Sequence, residues 1–227
     1  MKHKPMIIKK FDGALEYLAV KPKESTDNYT TIITLHGRGS DYHDLPRMME
    51  YLELKETLIV SPQAPIEMNH FTSKGYAWYD LYQEGIPQYE TFNKSIKKLQ
   101  RFMEQIQSKY VISSEKLLIS GFSQGAVMAC TLALLEPEKF LGAISLSGYI
   151  PLKSDLQIKI EKLDRLNWFV AHGTHDNVIP LSFGQKTNKF LTDHGTTVDY
   201  HEYSMGHEIT IETLIDLRRW LANMNIQ

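Results

Sequence analysis

Apolar residues along this 227-residue chain follow two alternating rhythms. Short β-branched or aliphatic runs occupy residues 7–11, 15–20, 30–36 and 57–61, and later 117–120, 141–147, 166–172 and 196–203. Bounded by Gly, Pro or Asp, runs of this length predict strands. Asp12 and Gly13 lie between the first two, where a turn with positive φ is cheap. Elsewhere the spacing changes to three and four. Phe92, Ile96, Leu99, Met103, Ile106 and Tyr110 draw one stripe, which predicts a helix of about five turns. Residues 45–54, 124–135, 181–191 and 209–224 predict further helices. Strands alternating with helices in this order imply an α/β protein with a mostly parallel sheet covered on both faces. Residues 62–89 hold Pro62, Pro65, Gly75, Gly85 and Pro87 without a sustained period. They predict a long ordered loop, and such loops usually carry function.

The length suits one domain over residues 1–227, large enough to bury a core without disulfides or a structural metal. A formal net charge of -2, with no basic stripe, argues against a nucleic-acid partner, because a phosphate backbone needs a clustered positive field. No stretch reaches the about 18 apolar residues of a membrane span. The opening MKHKPMIIKK has neither a long apolar run nor a small-residue cleavage site, so it is expected to begin a strand and not to direct secretion. With Cys130 as the lone cysteine, the cytoplasm is the expected compartment and buried packing the expected role of that thiol. The sequence does not set an oligomeric state; a homodimer stays open.

Chemistry concentrates at Gly121-Phe122-Ser123-Gln124-Gly125, between a strand and a helix. A serine in G-x-S-x-G at that junction occupies a tight, strained turn that points its hydroxyl away from the sheet, with bare glycines where strand and helix nearly touch. Serine needs a base to take its proton, and the base needs a carboxylate to orient it. Downstream, Asp176 in HGTHDNVIP follows one strand and His207 in YSMGHEI follows the last, with Gly206 expected to give the backbone freedom to turn the ring inward. Asp155, Glu161, Asp164, Asp193 and Asp199 are less well placed for the acid. His172 and His175 with Asp176 resemble part of a metal site, but no further ligand completes one, so no metal and no cofactor are expected.

Two backbone amides are needed for the developing oxyanion, expected from Gln124 and from Arg38 in His36-Gly37-Arg38-Gly39. The Arg38 side chain can pair with Asp41 or Asp44, or meet an acidic leaving group. Trp78 and Tyr79 can line a substrate pocket or fill a satellite core. Only residues 148–165 separate two consecutive strands, too few for a helical cap, so the cleft is expected to be open.

LHGRG at 35–39, WYD at 78–80, GFSQGA at 121–126, SLSG at 145–148, HGTHDNVIP at 172–180 and GHEI at 206–209 run in order across the chain. The whole resembles the phospholipase/carboxylesterase family of α/β-hydrolases, which includes acyl-protein thioesterase-like small esterases. The resemblance implies an α/β-hydrolase fold without a large cap domain, a nucleophile at Ser123, an acid at Asp176, a base at His207 and oxyanion amides at Arg38 and Gln124. It implies a serine carboxylesterase acting on small-molecule esters or thioesters of short to medium acyl chains. Lysophospholipase or acyl-protein thioesterase activity is the alternative, and a catalytically inactive binding scaffold the alternative of another class. Arg38 and Ser40 depart from the commoner LHGLGD form, which predicts a more polar pocket rim.

Overall fold

A computed structural model describes residues 6–8, 15–21, 29–69, 74–82, 86–152 and 156–226. Eight strands form one sheet: β1 (Met6–Ile8), β2 (Tyr17–Val20), β3 (Thr30–Leu35), β4 (Thr57–Pro62), β7 (Leu117–Phe122), β8 (Gly142–Leu146), β9 (Asn167–Gly173) and β10 (Thr197–Tyr203). Their spatial order is β1-β2-β4-β3-β7-β8-β9-β10. The β1–β2 and β2–β4 pairs are antiparallel, and every pair from β4 through β3 to β10 is parallel. The Asp12-Gly13 turn and the rest of the first expected strand beyond Ile8 lie outside the described residues.

Alternation along the strands divides the core. Ile33, Leu58, Val60, Leu117, Ile119, Trp168 and Val170 face one side, where they pack with α2 (Tyr89–Tyr110) and α3 (Gln124–Leu135) and with Leu191 of α4 (Leu181–Asp193). Ile32, Ile59, Leu118, Ile144 and Phe169 face the other, against Met49 of α1 (Asp44–Met49) and Leu214, Leu217, Trp220 and Leu221 of α5 (Ile211–Asn223). Strands buried on both faces explain the near-continuous apolar runs. α3 lies beneath the sheet with residues on all its sides buried, Cys130 included, and burial pushes that thiol up to about 12. A thiol so held is inert at neutral pH.

Two elements differ from the expectation. The helix expected at 45–54 ends at Met49, passes into a 3-10 turn over Glu50–Leu52 and stops at Glu53 with φ 53°. This tightening keeps Leu52 on the buried face while turning the chain toward β4. The expected loop at 62–89 contains an antiparallel hairpin, β5 (Ile66–Asn69) with β6 (Lys74–Ala77). Its strands lack apolar alternation because backbone bonds to the Arg38 loop hold β6 in place: Gly39 N–H donates to Tyr76 O (2.8 Å) and Tyr76 N–H to Ser40 O (2.9 Å). Between β8 and β9 there is no large inserted cap; Ile160–Arg165 form a 3-10 turn that buries Leu163.

His36, at the end of β3, fastens this region. Ala64 N–H can only donate, so His36 Nε2 accepts from it (3.1 Å) and Nδ1–H donates to Gly37 O (2.8 Å). The indole Nε1–H of Trp78 donates to His36 O (2.8 Å), and the two rings pack at 5.4 Å. Burial lowers the His36 pKa below its ordinary 6.5 and keeps the ring neutral.

Above about 6.5 His36 is neutral folded or unfolded and its contribution is complete. As pH falls below that value the unfolded chain takes up a proton that folded His36 refuses, and stability declines by up to ~1.4 kcal/mol per pH unit from this residue. Urea unfolding at pH 7.5 and 5.5 is expected to show a smaller pH-dependent loss in His36→Gln than in the wild type; equal losses would exclude the effect.

Candidate active site

Ser123 connects β7 to α3 with φ 53° and ψ −120°, a conformation strained for a residue with a side chain. Close packing enforces it. A Cβ on Gly121 would meet Gly125 backbone at 2.3 Å, and one on Gly125 would lie 2.0 Å from Leu35 O. Ser123 N–H donates to Leu146 O (2.9 Å), so the turn is also bonded to β8. The serine is thereby presented just beyond the carboxyl edge of the sheet, at the amino end of α3.

Asp176 and His207 come from the loops after β9 and β10. These loops are tied together: Thr174 N–H donates to Tyr203 O (2.8 Å) and His175 N–H to Met205 O (3.0 Å). Here the requirement for a bare residue falls on Gly173, where a Cβ would meet Gly206 O at 2.3 Å. Gly206, expected to supply backbone freedom, does not have positive φ, and a Cβ there would meet nothing nearer than 3.8 Å. Proximity of the two loops, and not a special turn at Gly206, brings the ring inward.

Asp176 Oδ1 accepts from the N–H groups of Val178 (2.9 Å) and Ile179 (2.8 Å), which fixes the carboxylate. Its Oδ2 accepts from His207 Nδ1–H at 2.7 Å. Since a carboxylate only accepts, the proton resides on Nδ1 and leaves Nε2 to accept from Ser123 Oγ–H, also at 2.7 Å. The Asp176 side chain is fully buried while that of His207 is 16% exposed. Phe122 packs against the imidazole at 4.9 Å and limits its tilt. Three residues from distant parts of the sequence thus form an unbroken hydrogen-bonded chain, an arrangement able to deprotonate the hydroxyl and to balance the imidazolium that forms.

Gly37 packs on the other side of the serine: a Cβ there would lie 3.6 Å from Ser123 Cβ. Arg38 and Gln124 line the same cleft as Ser123. The Gln124 N–H begins α3 and has no intrahelical acceptor, and among the described residues the Arg38 N–H has none either. The Gln124 side chain accepts from Trp78 N–H (2.8 Å) and donates to Tyr79 O (2.7 Å), anchoring the aromatic segment to α3. Trp78 does not line the cleft. Its indole is completely buried, because its N–H finds its acceptor inward at His36 O. Tyr79 does line it, beside Tyr149, and burial raises the pKa of both phenols.

The cleft measures about 540 Å³, within the range of small-molecule sites. Its walls are mainly apolar, with Leu81, Ile86, Ile150, Leu152, Val178 and Phe183 among them; Arg38 lines it with them and Ser40 does not. Nor does Arg38 pair with its acidic neighbours. Asp41 accepts from His43 N–H (2.8 Å) and Asp44 from Ser40 Oγ–H (2.8 Å), leaving the exposed guanidinium at the cleft.

Beside a partial metal pattern, the place of His172 next to the acid loop also allows a plain hydrogen bond to backbone, and that is its role. Its fully buried ring donates Nε2–H to Ile179 O (2.8 Å) and lies 3.6 Å from Asp176 Oδ2, so it braces the acid loop, while His175 is exposed. The spacing to Asp176 was visible in sequence; that both rings would not turn to one point was not. His36 carried no motif signal beyond its place before Gly37.

The family model for phospholipase/carboxylesterase matches residues 15–225. Among curated proteins, acyl-protein thioesterase 1 of Candida albicans is 29% identical over 222 residues, covering 89% of this chain and 95% of its own length. Among solved structures, esterase PE8 aligns with TM-score 0.79 at 25% identity, covering 92% of this chain and 99% of its own. A carboxylesterase from Mesorhizobium loti aligns with TM-score 0.82 at 19% identity over 95% and 98% of the two chains, a likeness of fold. The α/β-hydrolase fold and a family model spanning nearly the whole chain converge: the protein belongs to the phospholipase/carboxylesterase family, a group of hydrolases acting on acyl esters.

Proposed function

We propose that the protein is a serine hydrolase that cleaves acyl thioesters and esters through an acyl-enzyme on Ser123. The observation that carries this reading is the continuous hydrogen-bonded chain from Ser123 Oγ through His207 to Asp176, opening into an apolar cleft. In the forward step Ser123 Oγ attacks the carbonyl carbon while its proton passes to His207 Nε2. The charge on the carbonyl oxygen is met by the N–H groups of Arg38 and Gln124, each worth on the order of 3 kcal/mol in such sites. Collapse breaks the bond to the leaving alcohol or thiol, which takes the proton from His207. Water then enters, gives a proton to the same nitrogen and attacks the acyl-enzyme; the proton returns to Ser123 Oγ as the carboxylic acid leaves.

Support for a thioester as substrate comes from two directions. The curated relative from Candida albicans carries the name acyl-protein thioesterase 1. The cleft offers an acyl chain apolar contact from Ile150, Leu152, Val178 and Phe183, and each buried methylene contributes about 0.8 kcal/mol. Phe183 and Leu152 line the cleft and are also exposed, so they offer apolar surface to a chain that extends beyond it.

Ser123→Ala is expected to lower kcat on a p-nitrophenyl ester by roughly 10⁴-fold or more with the circular dichroism spectrum retained; a loss under tenfold would exclude Ser123 as nucleophile. Across acyl thioesters from acetyl to octanoyl, kcat/KM is expected to rise by up to about fourfold per methylene. A flat or falling series would contradict an acyl chain seated in the cleft.

A further inference from the structure

Among the described residues that line it, the cleft carries charge of one sign. Among its described lining residues the ionisable side chains of permanent charge are Arg38 and Lys186, and no carboxylate accompanies them. The chain as a whole has a formal net charge of -2, so this positive lining runs against the balance of the molecule. Both side chains are exposed, and neither makes an ion pair among the described residues. The carboxylates nearest to Arg38 in sequence are engaged elsewhere, Asp41 with His43 and Asp44 with Ser40. Lys189, one turn along α4 from Lys186, has a partner in Asp193 at 2.9 Å, whereas Lys186 is turned to the cleft.

The backbone that carries each cation is held by its neighbours. Arg38 lies between Gly37, which packs on Ser123, and Gly39, whose N–H is bonded to Tyr76 O at 2.8 Å. Lys186 shares the cleft-facing side of α4 with Phe183 and Thr187. Its Nζ stands 5.6 Å from the Phe183 ring centre, and Thr187 Oγ1 accepts from Ile150 N–H at 3.1 Å, joining that helix face to the cleft wall. Exposed cations are screened by water and salt, but a cleft of one sign with apolar walls still focuses its field on an entering charge. A planar guanidinium further matches the paired oxygens of a carboxylate or phosphate.

We propose that Arg38 and Lys186 form an anion subsite, and that the preferred substrate is an acyl ester or thioester carrying a carboxylate or phosphate group as well as the scissile bond. This rests on the serine-hydrolase reading above and adds a determinant of specificity to it. The apolar walls hold the carbon chain; the two cations select for charge at its end or on its leaving group.

Two matched substrate pairs separate the sources of charge. Mono-p-nitrophenyl adipate against p-nitrophenyl hexanoate places a carboxylate on the acyl side. S-hexanoyl-4′-phosphopantetheine against S-hexanoyl pantetheine places a phosphate on the leaving side. The wild type is expected to show at least a fivefold advantage in kcat/KM for the charged member of one pair or both, declining as salt is raised. Arg38→Leu and Lys186→Met are each expected to reduce that ratio to less than half its wild-type value. A smaller advantage in both pairs, or one that persists in both variants, would overturn the anion subsite. If the neutral members are hydrolysed without a charge advantage, only the subsite fails; if the wild type hydrolyses none of the four, the serine-hydrolase reading falls and the subsite with it.

Discussion

Between Leu35 O and the backbone of Gly125 there is room for a hydrogen and nothing larger. That approach lets the first turn of α3 press against the ends of β3 and β7, and the chain meets the demand by holding Ser123 at φ 53°. Strain of this kind costs on the order of 1–3 kcal/mol and persists only where surrounding contacts over-determine it. Here those contacts are Ser123 N–H on Leu146 O, the bare Gly121 and the buried length of α3. Were the turn to relax, Ser123 Oγ would leave the reach of His207, and the free N–H of Gln124 would no longer share its cleft.

The other half of the site depends on backbone pairing between two loops. The loops after β9 and β10 bond to each other through Thr174 and His175, so Asp176 and His207 stand on loops that are fastened together. Two amides hold one oxygen of Asp176, and His172, bonded to Ile179 O, stands beside the other. The buried carboxylate therefore has one remaining strong donor, His207 Nδ1–H, and that selects the tautomer able to take a proton at Nε2. The third support, the His36 loop, is fixed by a neutral imidazole whose acceptor nitrogen serves Ala64 N–H.

Much of this was legible in the residues. The alternation of strand and helix patterns specified a mostly parallel sheet, since chains with that rhythm bury strands on both faces. G-x-S-x-G marked the elbow because sterics forbid other residues at its ends, and Asp176 and His207, after later strands, were readable as the residues that meet at Ser123. What escaped sequence reading depended on partners remote in the chain. The β5–β6 hairpin has no apolar period, because its order comes from backbone bonds to Gly39 and Ser40. The sequence around Trp78 suits pocket and core alike; its direction is set by an acceptor at His36 O, forty-two positions away. Glycine at 206 suggested freedom where the crowding is at Gly173. The guanidinium of Arg38 was free for the cleft only because Asp41 and Asp44 had nearer donors, which composition alone does not reveal.

The most direct measurement is peptide mapping of the protein after reaction with a fluorophosphonate, which phosphonylates a serine activated by an adjacent base. One adduct per chain is expected, on the peptide containing Ser123, with strong slowing of its formation in His207→Ala. Labelling at another residue, or no labelling of a folded protein that hydrolyses esters, would contradict it.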